Sequence, residues 1–131
     1  MNQGSTKLEL LKLEATEDTP QVILDPANKK FQISGRSLPE DPTEFYEPII
    51  KWLDDYCLNP NPKTNFDFKL EYFNTASSKQ IYKIFLRLKS LMDNNHELNI
   101  CWYYQDGDTS IQQAGERYMR VVGVQIKLAK Y

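Results

Sequence analysis

The sequence holds little that an enzyme could use. In 131 residues there are one histidine, two cysteines and five glycines. Nucleophilic catalysis needs a base beside the nucleophile, most often histidine, and the lone His96 falls in the polar turn DNNHE. Cys57 and Cys101 stand far apart in no metal-ligand spacing, so they read as two reduced thiols of a cytoplasmic protein. The glycines form no phosphate-cradling loop. Asp106-Gly107-Asp108-Thr109-Ser110 opens like a calcium loop but lacks the later acidic ligand, and reads as a turn and helix cap. Asp54 and Asp55 are neighbours that would point about 100° apart on a helix, too divergent for shared acid–base work. No catalytic, metal or cofactor site is expected.

Charge of one sign is lacking too. Sixteen basic residues against eighteen acidic give a net charge of -2, with no Lys/Arg block to grip phosphates, so nucleic acid is not an expected partner. No run approaches the ~20 apolar residues that cross a bilayer, so no membrane partner is expected either. The opening MNQGSTKLELLKLEAT lacks the basic start and unbroken apolar run of an export signal, which predicts a cytoplasmic protein.

What is present is an alternation of two periods. Residues 8–13, LELLKL, fit a strand with a bulge or a short amphipathic helix, and favour the strand. Val22–Leu24 and Phe31–Ile33 flank Asp25-Pro26-Ala27-Asn28 and predict a β-hairpin. Phe45, Ile49, Trp52, Leu53 and Tyr56 then recur at helical spacing, with Asp41 as cap and Pro42 as first helical residue. The interior Pro48 predicts a kink or a separate first turn. NFDFKLEYFN alternates, with Phe66, Phe68, Leu70 and Tyr72 on one face. A helix follows over 76–92, a strand in ELNICWYYQ, a helix in SIQQAGERYMRVV and a last strand in VQIKLAK. The order predicts one α/β domain spanning residues 1–131: a mixed sheet with an N-terminal hairpin and about three helices packed on it.

The functional candidate is NTASS, where a strand passes directly into a helix. Asn74 or Thr75 would cap the helix. A helix N-terminus here lies at the carboxyl edge of the sheet, where open α/β folds bind ligands and partners. A phosphoryl group on Thr75 would bring about -1.5 to -2 charges to the positive end of the helix dipole. The fold would tolerate it, and its effect would fall on whatever docks there. Asn74, Ser77, Ser78 and Lys79 are the expected partner-binding neighbours, with Lys79 one turn from Thr75, and the turn Gly35–Asp41 sharing the edge. A different reading is a small-molecule site on the aromatic strand around Trp102–Tyr104.

The segment LEYFNTASSKQIYKIFLRL resembles the central motif of the SiaC-type regulatory phosphoproteins of bacteria. TPQVILDP, ISGRSLPEDPTEFYEPIIKWL and LNICWYYQDGD extend the resemblance over nearly the whole chain. The family is similar in design to the anti-sigma-factor antagonists. The resemblance implies that the threonine of the N-T pair, Thr75, is the phosphoacceptor, although Ala76 follows it where many members carry serine. It further implies a non-enzymatic partner switch worked by a serine/threonine protein kinase and a protein phosphatase. The unmodified form would bind and activate an output protein such as a diguanylate cyclase, controlling cyclic-di-GMP and biofilm behaviour.

Overall fold

The structure is a computed structural model that describes residues 8–131. The export-signal reading rests partly on residues 1–7 and to that extent lies outside the described residues. The elements run β1 (Leu11–Leu13), β2 (Gln21–Asp25), β3 (Lys30–Ser37), α1 (Pro42–Tyr56), β4 (Lys63–Phe73), α2 (Thr75–Asp93), β5 (Glu97–Tyr104), α3 (Thr109–Tyr118) and β6 (Ile126–Lys130). A π-helical turn, Met119–Gly123, extends α3. This is the α/β domain with a mixed sheet, an N-terminal hairpin and three helices that the sequence predicts.

In the hairpin turn the Asp25 carboxylate accepts the Asn28 N–H at 3.2 Å and its side-chain amide at 2.8 Å. Lys29, at φ 56°, then returns the chain into β3. Asp41 caps α1 by accepting the Glu44 N–H at 3.1 Å, with Pro42 as first helical residue. Pro48 does not divide α1, which runs as one helix. Both Pro48 and Glu44, four residues earlier, lie on the exposed side, where water can satisfy the carbonyl that proline cannot. Ile49, Trp52, Leu53 and Tyr56 are buried as the spacing predicts. Tyr46 is buried as well, and Phe45 packs edge-on against it at 5.0 Å.

The six strands lie side by side in chain order. β1, β2 and β3 pair antiparallel, and β3 to β6 pair parallel. Each parallel step needs a crossover, and crossovers are right-handed. Three such steps in the same direction put every helix on one face of the sheet. Phe66, Phe68, Ile100 and Trp102 face the helices and are buried. Asn65, Asp67, Lys69 and Tyr103 occupy the helix-free face. Cys101 is half-buried on that open face, whereas Cys57 ends α1 in the helical layer. The sheet itself separates the two thiols.

The core is aromatic. Phe68 stacks on Phe66 at 4.7 Å and on Phe85 of α2 at 4.8 Å, and Phe85 meets Tyr118 of α3 at 4.8 Å. Trp102 sits among Phe68, Phe85 and Tyr118 at 5.5–6.2 Å, and its indole N–H donates to the Ile111 carbonyl at 2.8 Å. Gly115 lets α3 lie against this ring, since a Cβ there would come within 2.6 Å of Trp102 and 2.8 Å of Leu128.

One departure from simple alternation matters for the site. Gly35 pairs with Leu70 but Arg36 pairs with Tyr72, so β4 carries one extra residue, Glu71, in a β-bulge. The bulge reverses the facing of the last two residues of β4. Tyr72, expected on the buried face, is 46% exposed, with the Arg36 guanidinium 5.7 Å over its ring. Phe73 turns inward instead and meets Trp102 edge-on at 6.0 Å.

Candidate functional site

Because β3 to β6 are parallel, their carboxyl ends share one edge, and α1, α2 and α3 all begin there. The strand order never reverses, so the edge lacks the crevice that a topological switch point opens for small ligands. A concavity of about 490 Å³ lies on it between the end of β4 and the start of α3, lined by Tyr72, Phe73, Asp108 and Arg117 among others. The helix caps along the edge differ in charge: Asp41 and Asp108 are carboxylates, whereas α2 is capped by the neutral Asn74. Asn74 accepts the Ser77 N–H at 2.8 Å, and its own N–H donates to the Ser37 carbonyl at 3.1 Å. The first turn of α2 contains no acidic residue. Its partial positive charge is therefore met by a dipole alone.

Thr75 is the first helical residue and is exposed. Among the described residues its hydroxyl makes no hydrogen bond, and neither do the N–H groups of Thr75 and Ala76. A neutral cap, two open donors and a free hydroxyl thus coincide at one point. Lys79, one turn on, is exposed and without an ion pair among the described residues. Ser78 is half-buried. Its hydroxyl donates to the Thr75 carbonyl at 2.8 Å, and its carbonyl accepts the Tyr118 hydroxyl at 2.7 Å. Burial pushes the Tyr118 hydroxyl well above the usual tyrosine range, which keeps it a donor.

Ser77, expected on the docking surface, is fully buried, so a partner cannot reach its side chain. Its hydroxyl donates to the Ser37 carbonyl at 3.0 Å and accepts from Ser37 Oγ at 2.9 Å. Since that uses the Ser37 proton, the Tyr46 hydroxyl donates to Ser37 Oγ, at 2.6 Å. Burial pushes Tyr46 up to about 12, so it remains protonated. This chain of hydroxyls, with Tyr118 on the other side, ties the first turn of α2 to β3, α1 and α3. The turn around Ser37 does share the edge, as the sequence suggested. Ser37, Tyr46 and Tyr118 carry no local sequence signal, since their partners lie 9 to 40 residues away.

The small-molecule reading loses Trp102, while Tyr103 lines a concavity of about 530 Å³ on the helix-free face with Asp67, Cys101 and Lys127. Trp102 is completely buried with its N–H satisfied, and Tyr103 faces the opposite side of the sheet, 4.7 Å beneath Lys69. Asp108 caps α3 by accepting the Ile111 N–H at 3.1 Å.

The cap is open to test. Asn74→Ala should cost about 1 kcal/mol, within the 0.5–2 kcal/mol span of N-cap losses. Urea unfolding reads the loss, and faster amide exchange at Ser77 and Ser78 locates it in the first turn of α2.

The fold has counterparts among solved structures. A family model described as SiaC family regulatory phosphoprotein matches residues 13–131. An uncharacterized protein of Pseudomonas aeruginosa strain UCBPP-PA14 is 22% identical over 108 residues, covering 82% of this chain and 86% of its own length. Apo-SiaC from Pseudomonas aeruginosa superposes with a TM-score of 0.84 at 20% identity, over 93% of this chain and 99% of that one. SiaC from the same organism, in complex with the diguanylate cyclase SiaD that it activates, superposes with a TM-score of 0.85 at 20% identity, over 92% and 99%. At that identity the superpositions establish a shared fold, whereas the family match covers nearly the whole sequence. The chain belongs to the SiaC family of regulatory phosphoproteins.

Proposed function

We propose that this protein is a non-enzymatic partner switch of the cytoplasm with Thr75 as its phosphoacceptor. A serine/threonine protein kinase phosphorylates Thr75 and a phosphatase restores it. The unmodified form binds and activates an output enzyme, a diguanylate cyclase, and so sets cyclic-di-GMP level and biofilm behaviour. The relative that activates a diguanylate cyclase supports the choice of output. The observation that carries the reading is the free, exposed Thr75 hydroxyl at the start of a helix with a neutral cap.

The electrostatics favour a binding switch over a folding switch. A phosphate on Thr75 meets the dipole and the two open N–H groups, interactions worth about 0.3–2 kcal/mol in its favour. Lys79 stands at the i+4 position to pair with it. The same charge left uncompensated in a docked interface costs about 2–5 kcal/mol. Asn74, Ser78 and Lys79 are the proposed neighbours at that interface, and Ser77 acts beneath it by holding the turn in place.

Peptide mass spectrometry on the protein from its native cells, with and without phosphatase treatment, tests the assignment. The expected result is one phosphoryl group on the peptide containing Thr75, removed by phosphatase. An unmodified Thr75 across growth conditions would return it to an ordinary first residue of a helix.

A further inference from the structure

On the helix-free face the strand registers set side chains in rows. Asp67 of β4 pairs with Cys101 of β5, and Cys101 with Lys127 of β6, so the three stand side by side across the sheet. Asn65 and Asn99 form the row before them, and Lys69 and Tyr103 the row after. Rows lie two residues apart, about 7 Å. Cys101, a short side chain among longer ones, becomes the floor of the hollow of about 530 Å³. Both walls are braced. Asn99 donates to Asn65 at 3.0 Å on one side. On the other, Tyr103 is held by Lys69, 4.7 Å from its ring, and by Tyr131, edge-on at 5.9 Å.

The ends of the middle row carry opposite charges. Asp67 is half-buried and Lys127 exposed, and neither has an ion pair or a side-chain hydrogen bond among the described residues. Two strand spacings, about 10 Å, keep them from neutralising each other. Burial raises the Asp67 carboxyl above the usual carboxylate range, against the pull of Lys69 and Lys30. A carboxylate short of both water and donors gains most from a ligand that brings N–H groups to it. The side-chain N–H groups of Asn65 also donate to nothing among the described residues.

A ligand must therefore bring paired N–H donors for Asp67, an acceptor for Asn65 and an anion for Lys127. Guanine carries a ring N–H and an exocyclic amino group beside a carbonyl oxygen on its Watson–Crick edge, and adenine lacks that pair of donors. In a nucleotide the phosphate stands at the far end from this edge. One lysine suits a single terminal phosphate, not the phosphate chain of a nucleic acid.

We propose that this hollow binds a guanine mononucleotide, with Asp67 accepting from the ring N–H and the amino group, Asn65 donating to the ring carbonyl, and Lys127 pairing with the phosphate. The sugar crosses over Cys101. The site lies across the sheet from α2 and does not depend on the role of Thr75.

Guanosine monophosphate titrated into isotope-labelled protein is the test, with adenosine monophosphate, guanosine and inorganic phosphate as comparisons. The guanine nucleotide should shift the resonances of Asp67, Cys101, Tyr103 and Lys127. It should bind about tenfold more tightly than the adenine nucleotide, the discrimination coming from donors that only guanine offers. Asp67→Asn should weaken guanosine monophosphate severalfold and erase its advantage over adenosine monophosphate. Lys127→Gln should weaken the nucleotide severalfold and leave guanosine unaffected. Neither side chain bonds to the rest of the fold, so both variants should melt with the parent protein. Equal affinity for the two nucleotides, an equal response to inorganic phosphate, or shifts confined to the helical face would overturn the proposal. So would an unchanged spectrum at millimolar guanosine monophosphate.

Discussion

Trp102→Ala should lower stability by about 3–5 kcal/mol, the range for emptying a large aromatic site in a core. Trp102 is fully buried and touches the rings of Phe68, Phe73, Phe85 and Tyr118, which come from a strand and two helices. Its removal leaves a cavity where those elements meet. It also orphans the Ile111 carbonyl, which accepts the indole N–H. The backbone cannot close the gap from above, because Gly115 offers no side chain to drop into it. Domains of this size hold about 5–15 kcal/mol in total, so about a fifth or more of the stability goes. In melting temperature the loss is roughly 10–20 °C. Thermal and urea unfolding followed by circular dichroism measure it, and Trp52 remains as a fluorescent reporter. Leu58→Ala, at a side chain 85% exposed, is the control and should change stability by no more than about 0.5 kcal/mol. A Trp102→Ala variant as stable as the control would contradict the core described above.

The second large effect falls on binding. Protein stoichiometrically phosphorylated on Thr75 should bind its output enzyme at least 30-fold more weakly than the unmodified form. That ratio corresponds to about 2 kcal/mol, the lower end of the cost of an uncompensated charge in an interface. Its melting temperature should stay within a few degrees, because the helix end accepts the charge. Thr75→Ala should bind normally and resist inactivation by the kinase. Thr75→Asp should show a smaller loss than the phosphate, since it carries one charge in place of nearly two. Calorimetric titration of the phosphorylated and unmodified forms separates the outcomes. Equal affinity with equal stability would end the switch reading. A large fall in stability would instead make phosphorylation a folding event.

The sequence made the architecture legible because its periods are clean. Phe66, Phe68 and Leu70 alternate without interruption, and the α2 core positions from Ile81 to Leu91 keep helical spacing. Asp25 with Asn28, Asp41 with Pro42, and Asn74 act through bonds spanning three residues, which a local reading can see. Two things were hidden. The bulge at Glu71 arises from pairing with β3, some 35 residues away, so Tyr72 was placed on the wrong face. Ser77 looked like its exposed neighbours in composition, and only the distant Ser37 and Tyr46 draw it inside. The position of Thr75 could be read because a strand stops and a helix begins there.

The unbroken sheet order also has a kinetic meaning. Because every strand neighbours the one translated before it, the sheet can grow at a single edge as the chain emerges, without a later strand forcing its way between two earlier ones. Domains begin to fold during synthesis from the N-terminal side. Once β4 and α2 have emerged, the bonds from Asn74 and Ser77 to Ser37 that hold the first turn of α2 can already form, before β5, α3 and β6 exist. Only the Tyr118 bond to Ser78 awaits the end of the chain. The first turn of α2 therefore takes shape before the core is finished, and the last strand, with Lys127 and Lys130, closes the growing edge with charge that discourages further addition.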